Sequence, residues 1–218
     1  GGDFVAVEAG LVDSMVAYVM GQVQRPGPVT IPLDDVRLAH VSLTARAEPR
    51  LWLERPLPPW IPADRPGRLL DVGSGAGFPG FVLAAARPRL EVWLAESRQR
   101  KWAFLRAAAA RAALPCHCLD ARVSASLPAD VPEELDFVTL RAVNLPPATM
   151  RVLLDRLGPA GRMLWWRGAE AADLPPGWAE SRRVRLPGSD RRLLIEVVGR
   201  DDQRLAITNQ KGGVGKTT

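Results

Sequence analysis

Sulfur and histidine are scarce in this chain. Two cysteines, Cys116 and Cys118, and two histidines, His40 and His117, are all that 218 residues contain. A Cys-x-Cys pair is too tight for an easy disulfide, and a structural zinc needs about four ligands, so a disulfide scaffold and a zinc fold are excluded. The thiols are expected to lie reduced on a buried strand. Long apolar runs are missing too. No stretch reaches the roughly 20 uncharged apolar residues that span a bilayer, and the first residues do not follow the basic-then-apolar plan of a secretory leader. The expected setting is the cytoplasm, without a membrane partner. There is no internal repeat, and the 20 prolines and 19 glycines punctuate apolar segments instead of forming a tract.

What the chain does have is a 47% hydrophobic content, enough for a substantial core, and a net charge of +5. A positive balance favours a polyanionic partner, because neutralising phosphates releases counterions.

Two glycine clusters compete for a ligand. The last, "ITNQKGGVGKTT" at 207–218, has the strand and turn of a phosphate loop. Gln210 stands where the first glycine of G-x-x-x-x-G-K-[ST] belongs, and neither the following helix nor the acidic magnesium ligand that a working loop needs is expected. With Lys211 just before Gly212 it resembles the deviant loop of the ParA/MinD partitioning ATPases, and it is expected to be an inert tail.

The other cluster, "LLDVGSGAGFPG" at 69–80, follows a strand and precedes a helix opened by Pro79. Phe78 occupies the third glycine position of the dinucleotide pattern, which disfavours a nicotinamide cofactor. The D-x-G-x-G-x-G form, from Asp71 through Gly73, Gly75 and Gly77, suits S-adenosylmethionine, since glycines let the backbone turn tightly and approach the ligand. Glu96, about 20 residues on at the tip of "LEVWLAE", is placed to accept from ribose hydroxyls. The alternative is a plain tight turn with a solvated glutamate.

Between 68 and about 167 the chain alternates strand-like and helical patterns, which predicts a parallel sheet covered on both faces. Ser97 reads as the N-cap of a helix through "RQRKWAFLRAAAARAAL", with Trp102, Leu105, Ala109 and Ala112 on one face and Arg98, Lys101, Arg106 and Arg111 largely on others. "CHCL", "LDFVTLRAV", a helix near 146–157 and "GRMLWWRG" follow; "SRRVRLPG" and "RRLLIEVVG", around Gly188-Ser189-Asp190, read as an antiparallel hairpin on the sheet edge. The expected division is a β segment over 1–33, a main domain over 34–200 and a tail over 201–218.

"LLDVGSGAGFPG", "ARPRLEVWLAESRQRKWAFLR", "FVTLRAV", "GRMLWWRG" and "RRLLIEVV" together resemble the RsmG (GidB) family of 16S ribosomal RNA guanine-N7 methyltransferases. The resemblance covers about 68–199, with a weaker echo in "SLTARAEPRLWLER" at 42–55. It implies a class I S-adenosylmethionine-dependent methyltransferase of Rossmann-like α/β fold with an antiparallel edge hairpin. It also implies a monomer acting on 16S rRNA in the small ribosomal subunit, and cofactor residues Gly73, Phe78, Val123, Ser124 and Arg141. Arg141, at a strand exit, is the candidate catalytic residue, for the cofactor carboxylate or an RNA phosphate; an arginine closing a strand against solvent is the plainer reading. The chain departs from the family pattern at Ser42, at Pro56, and at Ser124, where an acidic residue is usual and for which Asp120 is the possible substitute at the adenine amino group. Residues 1–33 resemble an SLBB β-grasp fragment. Rival readings are an impaired composite that retains the fold, a nicotinamide-dependent dehydrogenase and a ParA-type nucleotide-binding protein.

Overall fold

The computed structural model describes residues 16, 61, 65–168, 173–185 and 192–199. The phosphate-loop tail, the SLBB-like segment except Val16, the 42–55 stretch and the turn at 188–190 lie outside the described residues.

Seven strands form one sheet: β1 (Gly67–Val72), β2 (Leu90–Glu96), β3 (Cys116–Asp120), β4 (Leu135–Arg141), β5 (Leu157–Gly168), β6 (Trp178–Arg185) and β7 (Arg192–Gly199). Their order is β3-β2-β1-β4-β5-β7-β6. The first five are parallel, and β7 and β6 add antiparallel pairings beyond β5. The hairpin therefore caps the sheet with its second strand innermost. Near-continuous apolar runs such as "RLLDV" and "LEVWLAE" suit central strands covered on both sides.

Side-chain alternation divides the core in two. Leu69, Val92, Leu94, Phe137 and Leu164 meet α1 (Gly80–Ala86) and α2 (Gln99–Ala112) on one face; Leu70, Trp93, Val138, Leu140 and Met163 meet α3 (Pro147–Asp155) on the other. Trp166 belongs to the first cluster, and Trp165 packs against the second, as neighbours on a strand must. The α2 core stripe is Phe104, Leu105, Ala108 and Ala109, with Trp102 and Ala112 only half-buried, so the buried stripe is rotated from the expected Trp102 and Ala112 positions. Trp102 instead lies over the sheet edge, its indole N–H donating to the Cys118 carbonyl at 3.0 Å.

Ser97 does not cap α2. The N-cap is Arg98, with no side-chain cap, and its backbone N–H donates to Glu96 Oε1 at 2.8 Å. The carboxylate two residues back binds the N–H of the N-cap residue itself, not the first-turn N–H groups that a capping serine hydroxyl accepts from. Cys116 and Cys118 are free and half-buried on the edge strand β3, where burial pushes the thiols up to about 12 and about 11. They stay protonated at neutral pH. Among the described residues no helix is long and apolar enough to cross a membrane.

Candidate cofactor cleft

Strands β1, β2 and β3 step away from the centre in chain order, and the chain then crosses back to place β4 on the other side of β1. Helices leave the β1 and β4 ends in opposite directions, so a crevice opens above their carboxyl ends. Register decides what sits there. Val72 pairs with Ala95 and with Leu140, and Glu96 pairs with Asp120, so Glu96, Asp120 and Arg141 all lie at one edge, beside the glycine loop.

The loop is tied down from below. Asp71 is buried, and its Oδ1 accepts from the Thr139 hydroxyl at 2.6 Å across the β1–β4 ladder. Its Oδ2 accepts from the Gly80 N–H at 3.2 Å, and the Ser74 hydroxyl donates to the Asp71 carbonyl at 3.0 Å. One carboxylate thus joins the end of β1, the middle of β4 and the start of α1. Burial pushes it up to about 6, opposed by the hydrogen bonds from Thr139, Ser74 and Gly80 and by the charge of Arg141. Sequence reading missed Thr139: only the pairing of strands 68 residues apart brings the two together.

Gly73, Gly75 and Gly77 have φ of +70°, +59° and +91°, the left-handed region that favours glycine. A Cβ on Gly73 would stand 2.7 Å from Val143 Cγ2. Glu96, 6% exposed, turns its side chain back to this loop: Oε2 accepts from the Gly75 N–H at 2.9 Å. With Oε1 on Arg98, each oxygen has one bond and keeps a second lone pair for a ligand. The Lys101 ammonium, another group sequence reading did not assign to the loop, stands 3.9 Å from where a Gly75 side chain would begin.

The remaining candidates separate. Arg141 is half-buried on the same face as Asp71, and burial lowers its pKa against the opposing charge of Asp71. Ala142, which follows it, has a φ of +52°, so the backbone bends as soon as β4 ends. Asp120 and Ser124 are exposed, while Val123 is buried in the second core cluster between them. Phe78 is 8% exposed and its ring belongs to the first core cluster under the loop, so it supports the loop from below.

Glycines approached by no side chain of their own, with a buried carboxylate at the next strand tip, make a cradle of the kind a nucleoside with an amino-acid tail requires. The comparisons agree with this geometry. The family model described as rRNA small subunit methyltransferase G (GidB) matches residues 58–175. Ribosomal RNA small subunit methyltransferase G of Xanthomonas campestris is 35% identical over 173 residues, covering 73% of this chain and 79% of that protein. The protein of the same name from Acidothermus cellulolyticus is 43% identical over 113 residues, 52% of this chain and 48% of its own length. Among solved structures, TrmN from Thermus thermophilus superposes with a TM-score of 0.51 and 24% identity, over 62% of this chain and 45% of that one. A point mutant of MtNAS in complex with S-adenosylmethionine superposes with a TM-score of 0.52 and 11% identity, over 88% of this chain and 72% of that one. The structural likenesses show the Rossmann-like fold of class I methyltransferases. The family match and the identity along most of the chain show more: the chain belongs to the rRNA small subunit methyltransferase G (GidB) family of S-adenosylmethionine-dependent methyltransferases.

Proposed function

We propose that the chain transfers a methyl group from S-adenosylmethionine to N7 of a guanine in the 16S rRNA of the small ribosomal subunit. The observation that carries this reading is the glycine loop, with three positive-φ glycines and a bond to the buried Glu96, at the switch point of the sheet. Family membership supports the enzyme class and the ribosomal RNA substrate. The residues fit the cofactor: glycines leave room for close backbone approach, and Glu96 retains acceptor capacity for ribose hydroxyls.

When bound, S-adenosylmethionine supplies an electrophilic methyl group on a sulfonium. Gly73, Gly75 and Gly77 hold its amino-acid end, Glu96 its ribose, and Asp120, Val123 and Ser124 flank its adenine. Arg141 takes the cofactor carboxylate or an RNA phosphate with its two-pronged guanidinium. Guanine N7 has an in-plane lone pair and no proton to lose, so these residues need no general base among them. Their contribution is to orient the base in line with the methyl group and to keep water out of the cleft. A ribosomal substrate supports a cytoplasmic setting.

The test is to incubate the protein with methyl-labelled S-adenosylmethionine and small subunits from cells that lack this modification, then to map the label. Label on guanine N7 is expected. Label on another atom would overturn the substrate assignment, and no label would remove the enzyme reading.

A further inference from the structure

Two sets of cations among the described residues differ in their partners. Near the hairpin, Arg162 and Arg182 bond to the Glu196 carboxylate at 2.8 and 3.6 Å, and Arg183 bonds to Glu180 at 2.6 Å. At the cofactor end the pattern reverses. Arg98 and Arg122 each lie two residues past strand ends that are paired as Glu96 and Asp120, and the Ala121 N–H continues that ladder to the Glu96 carbonyl at 3.3 Å. Both arginines are exposed and follow neighbouring strand ends at the same distance along the chain. Lys101 reaches over the glycine loop from the first turn of α2. None of the three makes an ion pair with a described residue. Glu96, the buried carboxylate at the β2 tip, has given both oxygens to backbone N–H groups instead.

A cation held near an active cleft with no carboxylate of its own is available to an outside anion, and a charge-assisted bond to phosphate is stronger than one between neutral groups. We infer that Arg98, Lys101 and Arg122 form a phosphate-binding rim on the β2–β3 side of the cleft, gripping the RNA backbone beside the target base. The inference rests on the function proposed above and adds the direction of approach. The RNA strand crosses the start of α2 and the exit of β3, and the guanine enters toward Arg141 from that side. The arginines of β6, at the opposite edge of the sheet, take no part.

The test compares two charge-matched variants of the full chain, Arg98→Gln/Arg122→Gln and Arg183→Gln/Arg185→Gln. Affinity for small subunits lacking the modification is measured against monovalent salt at fixed magnesium. Each lost phosphate contact is expected to flatten the slope of log affinity against log salt by about 0.7 to 0.9, so the first pair should flatten it by about 1.4 to 1.8 and the second leave it unchanged. Equal slopes for the first pair and the unsubstituted chain, or equal flattening by both pairs, would overturn the rim. Lys101→Gln alone is expected to flatten the slope by about 0.7 to 0.9, and a slope equal to that of the unsubstituted chain would remove Lys101 and overturn the three-residue rim. Methyl transfer is read in the same samples. Failure of the proposed function would appear as no transfer by the unsubstituted chain, whereas failure of the rim would appear as transfer with unaltered slopes.

Discussion

Replacing Gly73 by alanine tests the loop at the point where geometry is tightest. Two costs add. An alanine at φ +70° adopts a left-handed conformation that costs about 1 to 2 kcal/mol. Its Cβ also stands 2.7 Å from Val143 Cγ2, well inside ordinary contact, and such overpacking costs about 1 to 3 kcal/mol. Together they amount to about 2 to 5 kcal/mol, a large part of the roughly 5 to 15 kcal/mol that holds a domain folded. Gly177→Ala isolates the first cost, because Gly177 has a φ of +90° and nothing within 4 Å of its would-be side chain. Val143→Ala isolates the second. Urea denaturation followed by tryptophan fluorescence should find Gly73→Ala less stable than Gly177→Ala, with Gly73→Ala/Val143→Ala recovering about 1 kcal/mol or more relative to additivity. A Gly73→Ala protein that unfolds at the same urea concentration as the parent would refute the reasoning. So would a strictly additive double variant.

Two further outcomes follow from the same site. Asp71 is raised from 3.8 to about 6 by burial, so the folded state holds the extra proton between those values. Its contribution to stability is therefore largest in acid and declines as pH rises through that window, by about 3 kcal/mol in all. Asp71→Asn should remove that slope, so that the stability gap between parent and variant changes across about pH 4 to 6; a gap that stays flat in urea melts at several pH values would contradict it. Arg141→Ala should abolish methyl transfer while the urea midpoint and circular dichroism stay near those of the parent, and undiminished turnover would take Arg141 out of the site.

Much of this arrangement could be read before any coordinates. The glycine spacing, Pro79 after it and Glu96 at the next strand tip are local signals, and they locate the β1–α1 turn and the cleft. The hairpin of β6 and β7 was legible for the same reason: two β-rich runs around a Gly-Ser-Asp turn. What escaped depends on contacts between distant segments. Thr139 looks like any strand threonine until register sets it against Asp71. Ser97 looks like an N-cap until the Glu96 carboxylate is seen on the Arg98 N–H. Phe78 is singled out in the sequence by its place in the glycine pattern, whereas its packing in the first core cluster emerges only from the fold. The rival readings fare unevenly: the family match favours none of them, and the ParA-like tail lies outside the described residues.

The central claim is that the loop from Asp71 to Gly77, facing Glu96, receives S-adenosylmethionine. Isothermal titration of the full chain with S-adenosylmethionine, with NAD as the comparison ligand, measures it directly. Saturable one-to-one heat from S-adenosylmethionine and none from NAD is the expected result. Saturable binding of NAD with no heat from S-adenosylmethionine would contradict the account.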